Sequence, residues 1–155
     1  MTVEIALATE QDIDVVSGLL TKLAVHDSEL DDLMDPNYAE SLQFRSHLAM
    51  MVQMDLSYVA VARVNDRAIG AGIGRLQRAE AAGIFAADLQ MLYVEPDMRG
   101  HGVGRMLVGH FQEWAKGKGA SMLKVTTYLN DNEATLGFYK ALDMTPTMVE
   151  LRKMI

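Results

Sequence analysis

From Ile13 the apolar positions recur every three to four residues, at Ile13, Val16, Leu20 and Leu23, and this spacing predicts an amphipathic helix through about Val25. Thr9 followed by Asp12 resembles a capping box at its start. The short apolar run "VEIALAT" before it reads as a strand. Residues 26 to 38 form a polar, acidic connection, and a second helix is expected over about 39 to 54, with Leu42, Leu48, Met51 and Val52 roughly on one side. At Ser57 the period drops to two. "YVAVARV" and "AIGAGIGRLQ" flank a turn at Asn65-Asp66-Arg67 and predict a hairpin. "GIFAADLQMLYVEP" continues the meander as a long strand stopped by Pro96.

Helical spacing returns at Val103, Met106, Leu107, Phe111 and Trp114, ended by the glycines of "KGKG". Leu123, Val125, Thr127 and Leu129 then alternate with polar neighbours as a strand. A last helix carries Leu136, Tyr139 and Leu142, and "TMVELRKM" predicts a closing strand. The order β-α-α-β-β-β-α-β-α-β, with a meander in the middle and helical crossovers at the end, implies an α/β (α+β) fold: a mixed sheet with helices on both faces.

Composition narrows the function. The 155 residues show no repeat or linker-like tract, so a single domain over 1–155 is expected. No apolar run is long enough for a membrane span. The N-terminus lacks the charged and apolar segments of a leader. There is no cysteine, which excludes thiolate metal sites and thiol nucleophiles and leans toward a cytoplasmic location. A net charge of −7 argues against nucleic-acid binding.

The chemistry concentrates between a strand and a helix, at Arg99-Gly100-His101-Gly102-Val103-Gly104. A helix N-terminus presents backbone N–H groups and about half a positive charge, and glycines before it let amides converge on a phosphate. A Walker A loop would need Lys-Ser/Thr after its last glycine, where this chain has Arg105-Met106. A dinucleotide fingerprint needs different glycine spacing after the first strand of a βαβ unit.

The stretch matches Arg/Gln-x-x-Gly-x-Gly/Ala, the pyrophosphate loop of the GNAT N-acetyltransferases, and "LYVEPDMRG" resembles that family's fourth strand. "NEATLGFYKALDM" resembles its Asn-x-x-Ala-x-x-x-Tyr helix. The likeness covers nearly the whole chain and implies the acyl-CoA N-acyltransferase fold, with acetyl-CoA as acyl donor. Carried over, the backbone of Leu92, Tyr93 and Val94 runs beside the pantetheine and acetyl group. Gly100, His101, Gly102, Val103, Gly104 and Arg105 hold the phosphates, and Arg99 serves either the loop or the phosphates. Asn132 contacts the cofactor arm, with Asn130 as its alternative. Two departures stand out: Ala134 is one position early, and Asp143-Met144 replaces the usual Gly-Phe.

The resemblance also assigns the catalytic roles. Tyr139 lies near the thioester sulfur as the acid, since a phenol is protonated at neutral pH. Asp88, six positions before Val94, takes the place of the family's strand glutamate as base, working through a water. Gln90, two places on, points to the same face but cannot take a proton, and the Val94 N–H polarises the carbonyl. His26 and His47 lie near the segment covering the acceptor side, but for each a surface position is the simpler reading. His101 contributes no more than its N–H, and His110 is read as helix surface. Asp27, Glu29, Asp31, Asp32 and Asp35 point to a cationic acceptor or, more simply, to a solvated, capped loop.

The expected activity is direct acetyl transfer to a primary amine of a small molecule or peptide, without nucleic acid or membrane as partner; the family often forms homodimers. The alternatives are a non-catalytic acyl-CoA-binding or sensing module, which would not need Tyr139 or Asp88, and an acidic interaction scaffold without cofactor affinity.

Overall fold

The computed structural model describes residues 1–130 and 133–155, without the side chain of Glu80. Its strands are β1 (Glu4–Leu7), β2 (Ser57–Val64), β3 (Arg67–Ala79), β4 (Ile84–Val94) and β5 (Met122–Val125); its helices are α1 (Ile13–Ser28), α2 (Leu42–Met51), α3 (Val103–Gly117) and α4 (Glu133–Lys140). Among the described residues the strands form one mixed sheet in the order β1-β2-β3-β4-β5, antiparallel except for the β4–β5 pair.

The β2–β3 turn is Asn65-Asp66, both with positive φ (47° and 67°), as a two-residue hairpin requires. Strand β2 is buried on both sides because its neighbours in sequence serve different layers. Val59 and Val61 pack with Val16, Leu20, Phe44 and Leu48 of α1 and α2. Tyr58 and Ala60 pack with Val108, Phe111 and Ala115 of α3. Gly74 permits the closest approach on the α3 side: a Cβ there would stand 2.5 Å from Phe111 Cε2.

Helix α1 runs three residues beyond the expected end, so His26 and Asp27 are helical. Helix α2 is shorter than expected at both ends: Ser41 caps its start, the Oγ accepting from the Phe44 N–H at 3.1 Å, and it ends at Met51. His110 is not simply surface: its Nδ1 pairs with the buried Tyr58 hydroxyl at 2.9 Å.

Two strand expectations need correction. The strand expected over 122–129 stops at Val125, where its pairing with β4 ends at Leu89. The closing strand does not form among the described residues: 145–155 are exposed and without strand pairing. An alternating pattern folds as a strand only against a partner edge. The segment is instead tied down by Arg152, whose Nη1 meets Asp31 Oδ2 at 2.8 Å.

Candidate active site

Strands β4 and β5 run parallel from Ala86–Met122 to Leu89–Val125 and are not paired beyond that point. A one-residue bulge marks the place. Ile73 pairs with Met91 while Gly74 pairs with Leu89, leaving Gln90 as the extra residue on β4. The bulge reverses the faces, so that Ala87 and Leu89 pack toward α3 whereas Met91 and Tyr93 pack toward α1. Past it, the Glu95 N–H bonds to Ile69 O on β3 at 2.8 Å. Alternation along a strand then turns the N–H of Val94 toward the open side.

The gap is a cavity of about 620 Å³, a size that suits a ligand larger than a metabolite fragment. Its walls are Leu23, His26 and Asp27 of α1, Leu89–Val94 of β4, the loop from Met98 to Arg105 without His101, residues 125–128, and Ala134, Thr135, Phe138 and Tyr139 of α4.

At one end stands the start of α3. Its N-cap, Gly102, has φ 82° and supplies no side-chain cap, so the first amides of the helix keep their donor capacity. Gly100 has φ 77°, and a Cβ at either glycine would meet nothing within 4 Å. The approach is therefore clear of side chains, the donors converge, and Arg99 and Arg105 add positive charge at the wall. This donor set fits a diphosphate. Gly104 has a packing role as well, since its Cβ would come within 3.2 Å of Phe138 Cζ where α4 closes on α3.

Tyr139, also in the wall, is buried, and burial pushes its phenol up to about 12. The C-terminal half of α1 is tied to the end of β4: exposed Lys22 pairs through Nζ with Oε1 of the buried Glu95, and Tyr93 donates its hydroxyl to Glu95 Oε2 at 3.3 Å.

The sequence profile of the acetyltransferase (GNAT) family matches residues 23–144, which span the bulge, the glycine loop and α4. The chain belongs to the GNAT acetyltransferase family. A curated relative, an uncharacterised protein of Mycobacterium leprae (strain TN), is 38% identical over 82 residues. That match covers 52% of this chain and 21% of the relative, so the chain spans about a fifth of the length of the protein it matches.

Solved structures share the fold at lower identity. A transcriptional regulator from Bacillus halodurans C-125 has a TM-score of 0.79 at 19% identity, over 99% of this chain and 100% of that one. An aminoglycoside acetyltransferase from an uncultured soil metagenomic sample, in complex with sisomicin, has a TM-score of 0.74 at 17% identity, over 99% and 96% of the two chains. The ribosomal-protein-alanine N-acetyltransferase of Brucella melitensis biovar Abortus 2308 has a TM-score of 0.74 at 20% identity, over all of both chains.

Of the residues that the GNAT resemblance singles out, Leu92, Tyr93, Val94, Arg99, Gly100, Gly102, Val103, Gly104, Arg105 and Tyr139 line this one cavity. Arg99 braces the loop: its Nε donates to Val94 O at 2.9 Å and its guanidinium lies 5.6 Å from the centre of the Tyr93 ring. His101 is exposed outside the lining, its Nδ1 2.9 Å from Arg99 O. Asn132 lies outside the described residues. Its alternative, Asn130, donates through Nδ2 to Leu30 O at 3.1 Å and does not line the cavity.

Asp88 is not brought to the cavity. It sits on the part of β4 still paired with β5, opposite Lys124, and its Oδ2 is 3.7 Å from Arg75 Nε. Gln90, two residues on and past the end of that pairing, does line the cavity.

The acidic connection divides in the same way. Asp27 lines the cavity, whereas Asp35 accepts from the Asn37 N–H at 2.8 Å as a loop cap. Hydrogen bonds from Arg152 and the Leu33 N–H hold Asp31 below the usual carboxylate range. His47 is exposed on α2, away from the cavity. The residue underweighted by sequence reasoning is His26, which reaches the cavity because α1 continues past Val25.

Proposed function

We propose that this chain binds acetyl-CoA in the β4–β5 gap and transfers its acetyl group directly to a primary amine of a small molecule or peptide. The observation carrying this reading is that one cavity joins the uncapped start of α3 to Tyr139 through the open edge of β4. When bound, acetyl-CoA supplies an activated acyl carbon and a thiolate leaving group.

The amides of Val103, Gly104 and Arg105, reached past the bare backbone of Gly100 and Gly102, hold the diphosphate. The backbone of Leu92 to Val94 aligns the acyl arm, and the Val94 N–H donates to the carbonyl oxygen as negative charge gathers there. Tyr139, a phenol protonated at neutral pH, gives its proton to the departing sulfur. The absence of cysteine agrees with direct transfer and no acyl-thiol enzyme. That a fold neighbour acts on an aminoglycoside and another on a ribosomal-protein alanine supports an amine acceptor while leaving its size open.

Calorimetry with acetyl-CoA, followed by turnover against a panel of small amines and N-terminal peptides, tests the reading. Binding with amide formation is expected. Binding without turnover across the panel would support an acyl-CoA sensing module, and no binding would end both readings.

A further inference from the structure

We propose that His26 is the catalytic residue that takes the proton from the acceptor amine, and that Asp27 beside it faces that amine's positive charge. The proposal rests on the acetyl-transfer reading above. A primary alkylammonium has a pKa of about 10.4, so attack at neutral pH needs a group able to accept its proton.

Among the described residues, the titratable side chains of the cavity wall leave few candidates. Arg99 and Arg105 carry guanidinium groups, which donate hydrogen bonds and accept none. The tyrosines keep their protons: burial raises Tyr93, Tyr128 and Tyr139 above the ordinary phenol value, with the acids Glu95 behind Tyr93 and Asp27 and Asp31 beside Tyr128 adding to the effect. Gln90 cannot take a proton, and Asp88 is outside the wall. His26 and Asp27 remain, and imidazole is the side chain whose proton exchange is matched to neutral pH.

Placement agrees with this role. Lys22 is pinned to buried Glu95 at the end of β4, and His26 follows it by one helical turn on the same side of α1. Just beyond, Asn130 Nδ2 bonds Leu30 O and joins the segment after α1 to the segment after β5. His26 is thereby held at the mouth of the gap, on the α1 side of the sheet, while the start of α3 takes the phosphates from the other layer.

In the step itself, the ammonium gives one proton to the imidazole and the freed lone pair attacks the thioester carbonyl carbon. A C–N bond forms, the C–S bond breaks, and the sulfur takes the Tyr139 proton. The second nitrogen proton returns to the Tyr139 phenolate through water, and the imidazolium releases its proton to solvent. One proton is produced for each ammonium acetylated.

The test compares the parent chain with His26→Gln, Asp88→Asn and, as a surface control, His47→Gln. Acetyl-CoA affinity is measured by calorimetry, and kcat/KM for the best amine of the panel is measured against pH. His26→Gln should lower kcat/KM by about 10²-fold or more, within the range for general-base loss. The deficit should shrink as pH rises toward the amine's own pKa of about 10.4, where the free amine needs no proton acceptor; acetyl-CoA affinity should stay at the parent value, and His47→Gln should match the parent throughout. A parent-like rate in His26→Gln, a deficit that does not shrink with pH, or the pH-dependent deficit appearing only in Asp88→Asn would overturn the assignment while the acetyl-transfer reading stands. A parent chain that binds no acetyl-CoA, or acetylates no amine, would overturn both.

Discussion

Valine at Gly102 separates backbone strain from ligand recognition, because a second glycine provides a matched control. Gly102 has φ 82° and Gly119 has φ 88°, and an added Cβ at either position would meet nothing within 4 Å. Both substitutions therefore force a branched residue into the left-handed region without a clash, at about 1–2 kcal/mol of folding stability each. Only Gly102 lines the cavity, at the mouth of the α3 amides. Its new side chain would stand where a phosphate must approach, and losing one charge-assisted amide contact costs about 1.5–3 kcal/mol, or roughly 10- to 100-fold in affinity. Denaturant melts should show the two variants destabilised to a similar extent. Calorimetry with acetyl-CoA should then show Gly119→Val binding as the parent does and Gly102→Val weakened by at least about tenfold. Parent-like affinity in Gly102→Val would remove the diphosphate from the start of α3. Equal weakening in both variants would mean that the loss follows stability and not the site.

Three further outcomes follow from the same structure. Tyr139→Phe should lower kcat by about 10²-fold or more with acetyl-CoA affinity unchanged, as for loss of a general acid; weaker binding at an unchanged rate would make Tyr139 a packing residue. Gly74→Ala places a Cβ 2.5 Å from Phe111 Cε2 and 2.9 Å from the Asp88 backbone oxygen, so it should destabilise the fold by about 1–3 kcal/mol or more in urea melts, and a parent-like midpoint would refute that packing. Burial lowers the His110 pKa, so the unfolded chain takes up this proton at a higher pH than the folded one. Stability should therefore decline as pH falls through the unfolded value of about 6.5, the loss being complete below the folded one; urea midpoints for His110→Phe should fall less over this window, and an identical decline would refute it.

What could be read from the sequence follows from which features are local. The hairpin at Asn65-Asp66, the body of α3 and the glycine loop depend on residues a few positions apart, and each lies where its periodicity or turn chemistry puts it. Asp143 belongs with them: it stands where the family usually has glycine, and its φ of 62° shows why that position favours one. The boundaries that shape the cavity are set at a distance. Strand β5 ends at Val125 because β4 departs after Leu89, and nothing within "TTYL" records that departure. The bulge at Gln90 is likewise invisible to an alternation count, which would leave Met91 and Tyr93 on the α3 side with Ala87 and Leu89. It turns them instead to the α1 side, the side that alternation from Ala87 and Leu89 also gives Asp88. What separates Asp88 from the cavity is its place along the strand: it lies where β4 is still paired with β5, and the lining begins only at Leu89. The three extra residues of α1 then acquire chemical meaning, because they carry His26 and Asp27 to the opening that the bulge creates.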